Sequence, residues 1–297
     1  MSGTSLDGRV AVVTGAGAGL GRAEALALAR AGARVVLNDL PGAADETAVE
    51  IKALGAEVVV APGDVGERST ADLIMQTALE SFGSLDIVVN NAGVTRDRML
   101  FNMSDDEFDL VVRIHLRGHF LLSRNAAAHW KQVAKETGGQ VDASVVNTAS
   151  EAFLTGSPGQ ANYAAAKAGI TALTLSTARG LSRIGVRANA ICPRARTAMT
   201  AAVFGADESG DAVDTYSADH VAPLVAYLAS PAAKRINGQV FVVYGGMVAL
   251  MAAPVVEQRF DTTGDLWSAD ELDRTLGDFF AGRDPETSFA ADSILSL

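Results

Sequence analysis

A glycine-rich turn near the N-terminus constrains the fold more than any other feature. Residues 10–13 form a short apolar run, residues 14–21 read TGAGAGLG, and residues 22–31 have helical composition. Glycine permits a tight turn, lets backbone amides approach a pyrophosphate, and is followed here by a helix N-terminus that favours an anion. The spacing G-x-x-x-G-x-G differs from the general G-x-G-x-x-G pattern. We interpret the segment as the first unit of a dinucleotide-binding fold; a plain strand-to-helix connection is the alternative.

The order of strand and helix repeats along the chain. Strands alternating with helices imply a parallel sheet with helices on both faces, and ligands bind at the carboxyl ends of such strands. We therefore predict an α/β fold with a Rossmann-type doubly wound parallel sheet in a single domain, residues 1–246, and a C-terminal extension, residues 247–297. The predicted strands are 34–38, 57–61, 85–89 and 143–147, and the predicted helices are 45–54, 69–82 and 105–129.

Composition excludes several classes of partner. The formal net charge of −11 argues against a nucleic-acid backbone, which needs a basic face. The uncharged run at 240–256 is interrupted by glycines and a proline, so we interpret it as a buried strand followed by a loop and predict no membrane partner. Cys192 is the single cysteine, and the N-terminus lacks the basic-then-apolar order of a secretory signal. We predict a cytoplasmic protein.

Asp39 bears on the choice of cofactor. It ends the second predicted strand, close to the spacing of ~20 residues at which an acidic residue meets the adenosine ribose. A carboxylate there accepts hydrogen bonds from the ribose hydroxyls and repels a 2′-phosphate. Asp39 thus predicts NAD rather than NADP; an aspartate that caps a turn or a helix is the alternative.

Tyr163 and Lys167 lie four residues apart in an alanine-rich segment that predicts a helix. Residues at this spacing share one helix face, so the hydroxyl and the ammonium group can lie side by side. A neighbouring cation lowers the pKa of a phenol, which ordinarily titrates near ~10. Tyr163 is therefore a candidate general acid/base. An ordinary helix with an exposed tyrosine is the alternative.

Together these motifs resemble the classical short-chain dehydrogenase/reductase family. The resemblance runs from about residue 7 to residue 246. Four ordered motifs at the family's spacing make it specific. They are Thr14-Gly15-x-x-x-Gly19-x-Gly21, Asn91-Ala92-Gly93, Ser150 thirteen positions before Tyr163, and Tyr163-x-x-x-Lys167.

The resemblance implies roles for particular residues. Tyr163 would be the general acid/base, Ser150 would orient the substrate oxygen, and Lys167 would hold the nicotinamide ribose and tune Tyr163. Members that prefer NADP commonly carry a basic residue just before the second motif glycine, where this chain has Ala18, so NAD is favoured again. The implied cofactor-binding residues are Gly15, Gly19, Leu20, Gly21, Asp39, Asp64, Val65, Asn91, Ala92, Gly93, Tyr163, Lys167, Pro193 and Thr197.

Within the family, the chain looks like the hydroxyacyl-CoA dehydrogenase part of peroxisomal multifunctional enzyme type 2 and its bacterial relatives, some of which act on CoA thioesters of steroid side chains. This likeness implies an NAD-dependent dehydrogenase that oxidises a 3-hydroxyacyl-CoA to the 3-oxo thioester. The alternatives are a reductase of 3-oxoacyl carrier protein or of a small ketone or steroid, and a catalytically silent NAD-binding protein. The matching stretches are TGAGAGLG at 14–21, NDL at 38–40, RDR at 96–98, HLRG at 115–118 and VAPL at 221–224, with a tail beyond Gly246.

The chain departs from the family pattern at two places. His115 stands where the catalytic tetrad usually has asparagine; it would act in a proton relay, or it would only pack in the core. His115 and His119 have the spacing of paired metal ligands, but no third ligand is evident, so we predict no metal. Arg194 replaces the glycine of the usual Pro-Gly after the strand that ends near Cys192, which leaves the path of that loop open.

The tail has a pattern of its own. Residues 247–253 are apolar, and residues 268–280 read as a capped amphipathic helix. We expect the extension to pack over the acyl-binding end of the cleft in its own or a neighbouring subunit, or else to stabilise a subunit contact. We expect a homo-oligomer, a dimer or a tetramer. The candidates for binding CoA phosphates are Arg194, Arg196, Arg96 and Arg98.

Overall fold

The computed structural model describes residues 3–200, 204–205, 214–285 and 287–297. The described residues contain one eight-stranded sheet in the order β3-β2-β1-β4-β5-β6-β7-β8. Strands β1 to β7 are parallel, and β8 pairs with β7 in the antiparallel sense. The strands are β1 Val10–Thr14, β2 Arg34–Asn38, β3 Val58–Val60, β4 Ile87–Asn90, β5 Ala143–Thr148, β6 Val186–Pro193, β7 Val240–Tyr244 and β8 Met247–Leu250.

Helices cover both faces of this sheet, because the strands are apolar on both faces. The described helices are α1 Gly19–Arg30, α2 Asp45–Ala53, α3 Arg68–Phe82, α4 Asp105–Val112, α5 Gly118–Thr137, α6 Ala152–Thr155, α7 Ala161–Leu181, α8 Ala222–Ala229 and α9 Ala269–Ala281. Along β1, Val10 and Val12 face the hydrophobic cluster that α3, α5 and α7 cover. Ala11 and Val13 face the opposite cluster, which α1, α2 and α8 cover.

The predicted doubly wound sheet is confirmed, and its strand order places the site. The chain winds outward from β1 to β3 and then returns to pair β4 with β1 on the other side. This reversal leaves a crevice above the carboxyl ends of β1 and β4, where ligands bind in open α/β sheets.

The single helix predicted at 105–129 is corrected in two ways. It consists of α4, a π-helical segment Arg113–Arg117 and α5, and it continues to Thr137. Gly138 ends it with a φ of 66°, a left-handed conformation that glycine adopts readily. The π segment inserts an extra residue per turn around His115, and such bulges are frequent at functional sites.

The loop predicted after β7 is also corrected. Residues 247–250 form β8, which folds back so that Met247 pairs with Tyr244 and Leu250 pairs with Phe241. Gly245 makes the reversal with a φ of 49°. The apolar side chains that were expected in a loop thus complete the edge of the sheet.

The chain divides into two compact units, Met1–Met251 and Ala252–Leu297. In the second unit, Ser268 caps α9 by accepting a hydrogen bond from the Glu271 amide at 3.1 Å, as the sequence predicts. Phe260 packs against Phe279 of α9, with ring centroids 5.1 Å apart. In the described part of the chain, no helix combines the length and the apolar character that crossing a membrane requires.

Candidate active site

A cleft of about 510 Å³ lies at the carboxyl edge of the sheet. The predicted residues Gly15, Gly19, Leu20, Asp39, Asp64, Val65, Asn91, Ala92, Gly93, His115, Tyr163, Lys167, Pro193 and Thr197 line it. Two predicted residues lie just behind its wall. Gly21 packs so closely under the turn that a Cβ atom there would stand 2.1 Å from the Gly15 carbonyl oxygen, and Ser150 reaches the site through a hydrogen bond to Tyr163.

The glycine turn is braced against the end of β4. Gly15 has a φ of 66°, and a Cβ atom there would lie 2.8 Å from Ala92 Cα. The Thr14 hydroxyl accepts hydrogen bonds from the Asn91 and Ala92 amides at 3.0 and 3.1 Å, and Asn91 Nδ2 donates to Thr14 O at 3.1 Å. Only glycine permits both the turn and this close approach. Asn91 therefore braces the turn in addition to lining the cleft.

On the other side of the glycine turn, the Asp39 carboxylate accepts two backbone hydrogen bonds. Its Oδ2 accepts a hydrogen bond from the Gly17 amide at 2.8 Å, and its Oδ1 accepts one from the Leu40 amide at 2.8 Å. The turn-capping alternative thus describes part of what this side chain does. Each carboxylate oxygen has a further lone pair, so Asp39 also retains acceptors that can face a ligand in the cleft. Ala18 lines the same region and carries no charge.

Asp64, which the family resemblance implies to be a cofactor-binding residue together with Val65, is held in place by two neighbours. Its Oδ2 pairs with Arg113 Nη2 at 2.8 Å, and its Oδ1 accepts the Gly66 amide at 2.8 Å. Arg113 also pairs with Glu67 at 2.9 Å. The carboxylate therefore shapes the end of β3 while Asp64 and Val65 line the cleft.

Ser150, Tyr163 and Lys167 meet where β5 and α7 approach each other. Lys167 is 2% exposed, and its Nζ donates to Thr148 O at the end of β5 at 2.6 Å. The same Nζ lies 5.3 Å from the centroid of the Tyr163 ring. The Tyr163 hydroxyl is hydrogen-bonded to the Ser150 side chain. The spacing of four residues thus puts phenol and ammonium on one face of α7, as predicted.

The pKa of Tyr163 does not shift in the direction expected from its neighbour Lys167. Burial raises the pKa of Tyr163 to about 12, against the hydrogen bond with Ser150, which lowers it. Burial also lowers the pKa of Lys167 to about 7. Because the lysine is itself desolvated, it loses much of its charge near neutral pH, and the phenolate gains little from it.

His115 lies against the catalytic pair without a hydrogen bond to it. Its ring meets the Tyr163 ring edge to face, with centroids 5.2 Å apart, and Nε2 lies 3.0 Å from Val94 N and 2.7 Å from Val94 O. Burial holds the pKa of His115 well below its usual range, so the ring is neutral. Its Nδ1 is buried without a hydrogen-bond partner among the described residues. A Cβ atom at Gly93 would overlap the ring at 2.2 Å. The relay role remains a prediction.

Two of the predicted phosphate-binding arginines are corrected. Arg194 and Arg196 each pair with a carboxylate of the protein and are only 13% and 18% exposed, so these guanidinium groups are poorly placed to bind a substrate phosphate. Arg98 pairs with Glu107 at 3.2 Å on the surface, where its side chain is 62% exposed, and it stays a predicted phosphate ligand. Arg96 differs: it is exposed, it lines the cleft, and its recorded bond is to the neighbouring Thr95 carbonyl at 2.6 Å.

Two features of the site were missed in the sequence. Asn162 holds the start of α7: its Nδ2 donates to Arg96 O at 2.9 Å, and its Oδ1 accepts the Tyr163 amide at 2.7 Å. A polar residue at a helix start was the available signal. Glu24 on α1 is fully buried, and neither carboxylate oxygen has a hydrogen-bond partner among the described residues. No local pattern distinguishes it from an exposed helical glutamate.

Comparisons with known proteins agree with this geometry. The chain is 60% identical to the hydroxyacyl-CoA dehydrogenase ChsB1 of Mycobacterium tuberculosis, over 98% of this chain and 95% of that protein. It is 38% identical to mouse peroxisomal multifunctional enzyme type 2, over 82% of this chain and 32% of that longer protein. A crystal structure of a short chain dehydrogenase from Mycobacterium avium superposes with a TM-score of 0.84 at 40% identity, covering 96% of this chain and 99% of that one.

The family model for short chain dehydrogenases matches residues 9–208. That range contains every residue of the predicted catalytic and cofactor sets. With the fold, the cleft and these matches in agreement, the chain belongs to the short-chain dehydrogenase/reductase family of oxidoreductases.

Proposed function

We propose that the protein is an NAD-dependent dehydrogenase that oxidises a 3-hydroxyacyl-CoA to the 3-oxoacyl-CoA. The observation that carries this proposal is the 60% identity to a hydroxyacyl-CoA dehydrogenase along nearly the whole length of both chains. The match covers 98% of this chain and 95% of that relative, so it extends beyond the glycine turn and the other cofactor motifs. The juxtaposition of Ser150, Tyr163 and Lys167 supplies the chemistry that such a reaction needs.

The residues of the site divide the work of alcohol oxidation. Tyr163 accepts the hydroxyl proton of the substrate, and Ser150 donates a hydrogen bond to the same oxygen and orients it. Lys167 Nζ carries three hydrogens, of which Thr148 O takes one, so two remain for ribose hydroxyls. The glycine turn, Asp39 and Lys167 would hold NAD, which would supply the hydride acceptor and a positive charge that favours the phenolate form of Tyr163.

The adenosine end of the cleft fits NAD better than NADP. Asp39 offers carboxylate lone pairs to ribose hydroxyls and would repel a 2′-phosphate. Ala18, where a phosphate-binding cation would stand, is neutral. The backbone amides of the glycine turn and the N-terminus of α1 supply the donors for the pyrophosphate.

Arg96 supports a CoA thioester as the substrate. It is the cleft-lining arginine of the four candidates that has no carboxylate within ion-pair distance among the described residues. Asn162 Nδ2 holds this segment through the Arg96 backbone carbonyl and does not bond the Arg96 side chain. The guanidinium group therefore remains available for a phosphate.

The protein is also expected to be a homo-oligomer. Phe120 on α5 and Leu175 on α7 are 43% and 41% exposed on neighbouring helices of one sheet face. Exposed large apolar groups of this kind favour association between subunits. Light scattering measures the assembly directly, and a monomer at micromolar concentration would contradict the expectation.

The experiment that tests the function follows reduction of the nicotinamide at 340 nm. NAD and NADP are each offered with a series of 3-hydroxyacyl-CoAs, the matching free 3-hydroxy acids and simple secondary alcohols. We expect turnover with NAD and a strong preference for the CoA thioesters. Turnover of free alcohols alone would replace the proposed substrate, and reduction of ketones with NADPH alone would favour the reductase. NAD binding without any turnover would indicate a silent binding protein.

A further inference from the structure

The residue that replaces the family's glycine after β6 makes a partly buried ion pair. Arg194 Nε and Nη2 donate to Glu151 Oε2 and Oε1, both at 2.8 Å, and the two side chains are 13% and 14% exposed. Two parallel hydrogen bonds of this kind fix orientation as well as distance. The backbone of Arg194 does not adopt a left-handed conformation, so the loop does not need glycine here.

The guanidinium group also contacts β7. Its Cζ lies 4.7 Å from the centroid of the Tyr244 ring, and the side chain is hydrogen-bonded to the Tyr244 hydroxyl. The Arg194 amide donates to Val243 O at 3.0 Å. Arg194 thereby joins the ends of β6 and β7 to the segment that follows β5, where Glu151 lies.

Glu151 directly follows Ser150 and is the N-cap of the short helix α6. The turn that holds Ser150 depends on this start of the helix: the Ala152 amide donates to Ser150 Oγ at 3.2 Å, and the Leu154 amide donates to Glu151 O at 2.8 Å. Taking two charges out of water costs several kcal/mol, so a buried pair is weak evidence for stability alone. Holding a neighbouring group in position is a better account of it.

We propose that Arg194 and Glu151 form a clasp that positions Ser150 toward the Tyr163 hydroxyl. The clasp residues are positioning residues: they touch neither substrate nor cofactor and act through the Ser150 turn. This inference rests on the proposed function only in that Ser150 works in alcohol oxidation. Four features carry it: the bidentate geometry, the burial, the stacking on Tyr244 and the adjacency to Ser150.

The test measures the effect of Arg194→Met with and without the Ser150 hydroxyl. We expect Arg194→Met to lower kcat roughly ten- to hundredfold, because small misplacements of catalytic groups have effects of that size. In a Ser150→Ala background, already slower by roughly 100- to 1,000-fold, Arg194→Met should lower kcat less than threefold further. Glu151→Gln, which keeps the shape of the side chain, should behave in the same way. The dissociation constant for NAD, measured by fluorescence quenching, should be unchanged.

The matched control is Arg9→Met. Arg9 also makes two hydrogen bonds to an acidic residue, donating to the side chain and to the backbone carbonyl of Asp142, at the amino edge of the sheet away from the cleft. Amide hydrogen exchange of residues 150–156 should accelerate in Arg194→Met and stay at the wild-type rate in Arg9→Met.

Two results would overturn the clasp. One is an equal drop in kcat on the wild-type and Ser150→Ala backgrounds, which is the mark of a general structural effect. The other is unchanged exchange at residues 150–156 in Arg194→Met. If Arg194→Met does not fold, Arg194→Lys, which keeps the charge but loses the two parallel bonds, takes its place. If the wild type turns over no 3-hydroxyacyl-CoA, the proposed function fails, and the exchange rates, which need no turnover, still decide the clasp.

Discussion

The two halves of the cleft are built by different means. At the ends of β1, β2 and β4, the walls are glycines and backbone groups, braced by short polar side chains such as Thr14 and Asn91. On the side of β5 and β6, side chains such as Tyr163, Lys167 and Thr197 line the cleft, and two partly buried ion pairs, Arg194 with Glu151 and Arg196 with Asp214, lie beside these lining residues. The first half, which we propose as the cofactor half, is therefore shaped mainly by backbone groups. The second half, which we propose as the substrate half, is shaped by side chains and by the ion pairs next to them.

The largest effect on kcat should come from substitution of Tyr163, which lies where the two halves of the cleft meet. Tyr163→Phe removes the hydroxyl that accepts the substrate proton, and general acid/base catalysis contributes typically ~100- to 10,000-fold. We expect kcat to fall within that range while the dissociation constant for NAD changes less than threefold. Stopped-flow or steady-state assays of NADH formation measure it. Lys167→Ala is the companion variant, and it should weaken both rate and NAD binding. If Tyr163→Phe retained most of the activity, Tyr163 would not be the general acid/base.

The comparison also explains what the sequence could and could not predict. The glycine turn and Asp39 were identifiable because their requirements are local: a left-handed φ at Gly15 or an acidic residue at a strand end leaves a mark in the sequence. Arg194 and Glu151 are far apart in the chain, so the sequence around either residue does not predict the ion pair. The sequence also did not predict the burial of Tyr163. This burial raises the Tyr163 pKa, where the neighbouring lysine was expected to lower it.

Glu24 lies in the same half of the molecule as the glycine turn, but unlike the turn its burial could not be predicted from the local sequence. Burial raises its pKa to about 8, with the charge of Lys167 opposing the shift. A carboxyl with a raised folded-state pKa contributes its full stability below its unfolded value of ~4.3 and loses it as the pH rises through the folded value. Between pH 5 and pH 8, the wild type should lose about 1.4 kcal/mol per pH unit from this group.

Glu24→Gln is expected to remove that loss. In urea unfolding at pH 5, 6.5 and 8, its free energy of unfolding relative to wild type should rise steadily with pH. Glu50→Gln is the control, because the hydrogen bond with Arg22 lowers the pKa of Glu50, so this carboxyl is ionised in the folded and unfolded states from pH 5 to pH 8, and the variant should keep a constant difference from wild type across that window. Parallel pH profiles for Glu24→Gln and wild type would show that the carboxyl ionises normally in the folded protein.

The preference for NAD over NADP tests the roles assigned to Asp39 and Ala18 at the adenosine end of the cleft. Replacing Asp39 with Asn keeps an acceptor for the Leu40 amide and removes the charge, and Ala18→Arg adds a partner for a 2′-phosphate. A charge-assisted hydrogen bond is worth about 1.5–3 kcal/mol. The ratio of kcat/KM for NADP to that for NAD should therefore rise roughly ten- to hundredfold. In Ala18→Arg alone, Asp39 still repels the phosphate, so this ratio should rise less. No change in the double variant would refute both assignments.

The smallest expected effect concerns His115, which borders both halves. His115→Asn restores the family's residue and should stay within about threefold of the wild-type kcat if a polar group here relays protons. His115→Leu fills similar space without polar atoms and should be about tenfold slower. Thermal unfolding of both variants corrects for lost packing against Tyr163. Equal rates for the two variants would leave His115 as a packing residue.

The direction of β8 has a consequence for the tail. Because β8 runs antiparallel, Leu250 lies beside Phe241, and the chain leaves the sheet at the edge opposite the cleft. Cutting the chain after Gly246 would remove this strand from the edge of the sheet, so a clean truncation of the tail should begin after Met251, where the first compact unit ends.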